Sequence, residues 1–220
     1  MINLFSGDFE VVDLSSVLGV NTFCYPTDPQ FKKSWHIQMP DSVANVSVIE
    51  TGLHAGTHVD APLHFIEEGM DVCQMPISSF FGPAVAVDAP KKLGEDIVPA
   101  DFEGQDIRKG DIVLFHTGWG TRINTDRFYE NGWPGFSSEA IDLLLGMGVK
   151  AIGFDSPAAD NCSAEENGFP AHKKTLGANV PIYESLINLD KVVGRRFVFI
   201  GLPLRIEEGE ASLVRAIAIL

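Results

Sequence analysis

His54-Ala55-Gly56-Thr57-His58-Val59-Asp60-Ala61-Pro62-Leu63-His64-Phe65 is the stretch from which this chain is best read. Three of the six histidines and one aspartate are crowded here around a glycine and a proline. Neutral imidazole and carboxylate are natural ligands of zinc and related divalent ions, so the density points to a metal site. Spacing constrains the shape. A fully extended step from residue 54 to 58 would separate the two Cα atoms by roughly 13 Å, near the limit that two imidazoles can span around one ion. A helix would put His54 and His58 on one face but send Asp60 elsewhere, and Gly56 would weaken it. The pattern therefore predicts a strand that ends in a tight bend at Gly56-Thr57 and folds the ligands inward. It is not the helical H-E-x-x-H arrangement, because no glutamate follows the first histidine.

The 220 residues are a single-domain length, 1–220, with 45% hydrophobic and 21% charged residues. No apolar run approaches the roughly 18 residues of a membrane span. The first residues lack the basic and apolar regions of a secretory signal, so a cytoplasmic setting is expected. A net charge of −14 argues against nucleic acid and anionic membrane as partners. Cys24, Cys73 and Cys162 form no C-x-x-C pair and read as reduced thiols, with Cys162 a candidate to line the site.

Short β-patterned runs dominate: Glu10–Leu14, Val46–Glu50, Ala84–Val87, Asp111–Thr117, Ala151–Phe154, Arg196–Gly201 and Leu213–Ile219. One helix is predicted from Ser137, a fitting N-cap, with Ile141, Leu144, Leu145 and Val149 as its apolar stripe. A shorter one should start near Pro170, carry His172 and stop by Gly177. Many strands, few helices and irregular connections favour an α/β layered sandwich over a doubly wound sheet. Neither G-x-G-x-x-G nor a P-loop suggests a nucleotide.

His54, His58 and Asp60 can supply three ligands and leave a position open for water. His64, just past Pro62, suits general acid/base work, although a fourth, structural ligand is the alternative. Asp155, Asp160, Glu165, Glu166, His172 and Glu184 are further ionisable groups among which spacing does not choose. Phe23, Tyr25, Trp35, Phe80, Phe81 and Trp119 are candidates to wall an aromatic pocket. Of these, Phe23, Tyr25 and Trp119 are taken as substrate-binding, Trp119 foremost because it follows a strand between Gly118 and Gly120.

The string H-x-G-T-H-x-D-x-P-x-H-F resembles the signature of the cyclase family of metal-dependent hydrolases, which includes bacterial kynurenine formamidases and isatin hydrolases. The likeness extends to Val12-Asp13-Leu14-Ser15, Tyr25-Pro26-Thr27-Asp28-Pro29, Val113 through Trp119, Ile152 through Pro157 and Gly201-Leu202-Pro203-Leu204. It implies a three-layer β/β/α fold with a barrel-like sheet core, in a homodimer or homotetramer. It also implies that His172 and Glu184 complete the site, with Asp60 bridging two ions where both positions fill. Zinc and manganese both suit these ligands. The implied reaction is hydrolysis of a C–N bond in a small aromatic or cyclic amide, with N-formylkynurenine and isatin as candidate substrates. Cyclisation, dehydration or lactone opening on the same ions is the alternative, and a non-catalytic metal-binding protein a third reading. The chain departs from the formamidase pattern at Tyr25, Thr27 and Ala158, and its polar stretch from Asn161 to Gly168 could reshape the pocket rim.

Overall fold

The computed structural model describes residues 9–92, 94–123 and 132–220, with the side chains of 164 and 165 left aside. Eleven strands are seen there: β1 Val11–Asp13, β2 Lys32–Ile37, β3 Val46–Glu50, β4 His58–Asp60, β5 Phe81–Asp88, β6 Ile112–His116, β7 Ala151–Phe154, β8 Ile182–Glu184, β9 Arg196–Ile200, β10 Ala211–Leu213 and β11 Ile217–Ile219. Three α-helices accompany them: α1 Ser138–Met147, α2 Ala164–Asn167 and α3 Pro170–Gly177. No helix among the described residues is long and apolar enough to cross a membrane.

Nine strands form one mixed sheet in the order β1-β11-β9-β5-β6-β7-β8-β4-β10. The run β5-β6-β7-β8 is parallel and the remaining pairs are antiparallel. The sheet curls back on itself. Beyond β1, Ser15 bridges Leu186, just past β8, and the Ile187 amide donates to the Leu14 carbonyl at 3.0 Å.

Alternation along the strands separates two cores. Ala84, Ala86, Ile112, Leu114, Tyr183, Phe197 and Phe199 fill the concave interior. Val85, Val87, Val113, Phe115, Ile152, Phe154 and Ile182 face outward against Ile141 and Leu144 of α1 and Ala171 and Leu176 of α3. This gives a barrel-like sheet with a helical layer on one side, the α/β architecture expected. The interior leaves no room at Gly153, where an added Cβ would stand 2.8 Å from Leu114 Cδ2 and 2.9 Å from Tyr183 Cβ.

Both longer helices lie where the sequence put them. The Ser137 hydroxyl caps α1 by accepting from the Ala140 amide at 3.2 Å, and α3 opens at Pro170. Several strands differ. β2, β8 and β10 were not foreseen, and the run 213–219 is split: Leu213 ends β10, paired with β4, while from Ala216, whose amide donates to Ser15 Oγ and whose carbonyl accepts from Leu14 N, the chain pairs instead with the β1 segment. The strand of the histidine motif begins after the bend at Gly56-Thr57 instead of ending there. Gly56 takes a left-handed φ of 59° and His58–Asp60 then run extended between β8 and β10.

Candidate metal centre

β4 is flanked by Glu184 opposite His58 on one side and Ala211 opposite Asp60 on the other. Val59 points into the barrel, so His58 and Asp60 point outward, toward α3. The bend at Gly56 returns His54 to the same side, with its ring centroid 5.0 Å from that of His58. A 3₁₀ turn at Pro62–His64 then carries His64 back over the site, 4.1 Å from the His54 ring. α3 supplies His172 from across the cavity.

These side chains meet at Asp60. Its Oδ1 lies 2.9 Å from His54 Nδ1 and 3.3 Å from His58 Nε2, and its Oδ2 lies 3.8 Å from His172 Nε2. Glu184 reaches His58 Nε2 at 3.4 Å with one oxygen and His172 Nε2 at 3.2 Å with the other. Two groups have donor atoms close enough to share an ion: His54, Asp60 and His64, and His58, Asp60 and Glu184. Asp60 belongs to both. Buried atoms without a hydrogen-bond partner include His54 Nε2, His58 Nε2 and both Asp60 oxygens. Leaving such groups unmatched is costly, and a cation satisfies all of them, so the donor set fits a divalent metal.

The protonation pattern agrees. Burial disfavours the charged forms throughout, yet Asp60 holds His54 up to about 9, and Asp160, Glu184 and Asp60 hold His172 up to about 10. His58 is likewise raised by Asp60 and Glu184, while Asp60 and Glu184 are lowered by the histidines around them. Without an ion, protons on three imidazoles offset the charges of Asp60, Glu184 and Asp160. His64 behaves oppositely: burial, reinforced by His54 and His172, pushes it down to about 4, against the pull of Asp60. It is a neutral base at neutral pH.

A layer of outer contacts orients the donors. The Gly56 carbonyl stands 2.8 Å from His58 Nδ1, and the Ala159 amide donates to Glu184 Oε1 at 2.9 Å. Asp160 does most. Its Oδ1 accepts from the Ala171 amide at 2.8 Å, and its Oδ2 accepts from the His172 amide at 3.0 Å and lies 2.6 Å from His172 Nδ1. It thereby caps α3, whose own N-cap residue Phe169 offers no side-chain cap, and aims the imidazole. Glu210, unnoticed in the sequence, stands 3.5 Å from His54 Nε2 beside β10.

A cavity of about 300 Å³ opens onto the donors. Its walls include Phe23, Tyr25, Phe65, Phe169, Pro157 and Ala158, with Thr27 and Asp28 at its edge. Trp119 is not among the residues that line it. It is buried beside Phe23 and Trp133, with the Arg122 guanidinium over its ring, so it backs the wall that Phe23 presents. The strand-end position that singled out Trp119 thus puts it behind Phe23, and Phe23 is the ring that faces the cavity. Phe80 is core, and Trp35 and Phe81 are exposed away from the cavity walls. Cys162 is exposed and off the wall. Asp155 is occupied by the loop after β6, accepting from Thr117, Gly118 and Gly120. The side chain of Glu165 lies outside the described residues. Phe65 and Phe169 were missed, although Phe65 ends the motif itself and stacks on His172 at 4.7 Å.

The family model named Cyclase matches residues 12–161. The chain belongs to the cyclase family. A kynurenine formamidase of Erythrobacter litoralis is 35% identical over 93% of this chain and 91% of its own length. An isatin hydrolase of Roseibium aggregatum is 31% identical over 98% and 94%. Among solved structures, isatin hydrolase A of Ralstonia solanacearum superposes with a TM-score of 0.89 at 27% identity, covering 99% of this chain and 94% of the other. An isatin hydrolase bound to the product analogue thioisatinate gives 0.89 at 28% identity, covering 99% and 94%. The cyclase-family fold thus accounts for the curled sheet and its helical layer from end to end.

Proposed function

We propose that this protein hydrolyses the C–N bond of a small aryl formamide or cyclic aryl amide, N-formylkynurenine and isatin being the candidate substrates. One observation carries the reading: unsatisfied His and Asp donors, with Glu184 beside them, sit at the floor of a cavity walled by aromatic rings, and a neutral histidine stands next to them. The kynurenine formamidases and isatin hydrolases to which the chain is similar support it. His54, His58, Asp60, His172 and Glu184 would hold the metal, and the sharing of Asp60 between two donor groups favours two ions. Bound there, zinc or manganese supplies Lewis acidity and a water acidic enough to act as nucleophile near neutral pH.

The rest falls to the chain. Phe23, Tyr25, Phe65 and Phe169 clasp an aromatic ring and exclude water from its faces. His64, neutral at the outset, accepts a proton from the attacking water as the O–C bond forms. It then delivers that proton to the nitrogen as the C–N bond breaks, releasing an amine and a carboxylate. On a cyclic amide both products stay on one molecule. The free cysteines among the described residues fit a reducing compartment, so we place the reaction in the cytoplasm.

The test is activity of metal-stripped protein, reloaded with zinc or manganese, against both substrates in parallel. Turnover restored by metal on either compound is the expected result. Metal-loaded protein that cleaves neither refutes the proposal.

A further inference from the structure

His54, His58 and His172 each turn one ring nitrogen toward Asp60 and the other toward a group outside the cluster. In His58 and His172 the inner atom is Nε2, at 3.3 and 3.8 Å from an Asp60 oxygen. Their Nδ1 atoms lie 2.8 Å from the Gly56 carbonyl and 2.6 Å from Asp160 Oδ2. His54 is the other way round. Its Nδ1 lies 2.9 Å from Asp60 Oδ1, and its Nε2 faces Glu210 Oε1 at 3.5 Å.

The reversal has a chemical consequence. A neutral imidazole carries one proton, and a nitrogen that holds a cation must be bare. The proton then sits on the other nitrogen and needs an acceptor there. His54 Nε2 is buried with no hydrogen-bond partner, and the Glu210 carboxylate stands before it, just beyond hydrogen-bonding reach. We propose that Glu210 is a positioning residue of the metal centre. It accepts the Nε2–H of His54 and so commits Nδ1 to the ion, the opposite of the choice made at His58 and His172.

The backbone around Glu210 is pinned on both sides. After it, Ala211 pairs with Asp60 across β10 and β4, and the Ala61 amide donates to the Glu210 carbonyl at 2.9 Å. Before it, the Val72 amide donates to the Gly209 carbonyl at 3.0 Å. Buried Asp71 accepts from the Glu208 amide at 2.9 Å and from the Gln74 amide at 2.7 Å, tying the two turns together. Gly209 is packed so closely that an added Cβ would stand 3.0 Å from Ile206 Cβ and 3.1 Å from Val72 Cγ2. The Glu210 side chain, by contrast, is 38% exposed and can swing the short distance onto the proton. With it, each of the three imidazoles has an outer acceptor: one backbone carbonyl and two carboxylates. Such partners hold the ring in its tautomer and orientation and strengthen it as a ligand.

The inference rests on the donor set holding a metal, as proposed above, and is tested on metal binding without substrate. Calorimetric zinc titration compares wild type with Glu210→Ala, Glu210→Gln and Glu207→Ala. Glu210→Ala should bind zinc about 10–100-fold more weakly. Glu210→Gln keeps an acceptor oxygen and should recover part of that loss. Glu207→Ala removes an exposed charge from the same loop and should match wild type. A Glu210→Ala variant within about threefold of wild type, or a Glu207→Ala variant equally weakened, overturns the proposal. Ring-nitrogen NMR on zinc-loaded wild type depends on no variant's folding. His54, assigned through its backbone, should show zinc on Nδ1 and a proton on Nε2, with His58 and His172 reversed. Zinc on His54 Nε2 refutes the role of Glu210 and leaves the metal centre standing, whereas wild type that binds no zinc refutes both.

Discussion

Replacing Asp160 by asparagine isolates the contribution of a residue that does not line the cavity and acts on the candidate ion site only through His172. Its two oxygens serve three partners: the amides of Ala171 and His172 and the Nδ1 of His172. Asparagine keeps one oxygen and turns the other position into a donor. At least one amide at the start of α3, or the imidazole, then loses its acceptor in a buried place. Loss of a helix cap costs about 1 kcal/mol and loss of a charge-assisted hydrogen bond about 1.5–3 kcal/mol. Together these give about 2–4 kcal/mol. At about 2–4 °C per kcal/mol for a domain of this length, the melting temperature should fall by about 5–15 °C. The His172 ring also loses its aim, for which about 10–100-fold weaker metal binding is expected. Calorimetric melting and zinc titration measure both. A variant that melts within 2 °C of wild type and binds zinc within about threefold would refute the assignment of Asp160 as the group that caps α3 and orients His172.

His64→Ala should lower turnover of the proposed reaction by about 10²–10⁴-fold while metal content by mass spectrometry stays unchanged; loss of metal would make His64 a ligand with His54 and Asp60 instead. For metal-free protein the pH dependence has a definite sign. His54 and His172 are raised from 6.5 to about 9 and about 10, so their contribution is complete below about pH 6.5 and is lost as pH rises through 9 to 10. The apo protein should therefore melt at lower temperature at pH 10 than at pH 7, and an unchanged melt would count against these protonated pairs. By the same linkage, zinc should bind more tightly as pH rises and release protons, read as buffer-dependent heats in titration calorimetry. Gly56→Ala puts a Cβ at a φ of 59°, 3.1 Å from Leu18 Cδ2 and Ser16 Oγ. It should cost about 1–2 kcal/mol or more by thermal melting and weaken metal binding through the displaced His54.

The motif from His54 to Phe65 determined by its composition that a candidate metal site lies here, because three imidazoles and a carboxylate crowded into so short a stretch have few other uses. The helices were legible too: Ser137 and Gly148, and Pro170 and Gly177, are local punctuation that acts over one turn. Strands β4, β8 and β10 were not, since each is only three residues long and is held by its neighbours more than by its own periodicity. Residue spacing could not single out Glu184, which lies opposite His58 where β8 pairs with β4; resemblance supplied it. Asp160 and Glu210 likewise acquire roles only when α3 and β10 are brought beside the motif. Which ring faced the cavity was also a tertiary matter. Trp119 and Phe23 pack together, and the curl of the sheet decides that Phe23 lies in front. Local chemistry follows from residue types close in sequence, whereas partners supplied across a sheet depend on pairings between distant segments that no single segment encodes.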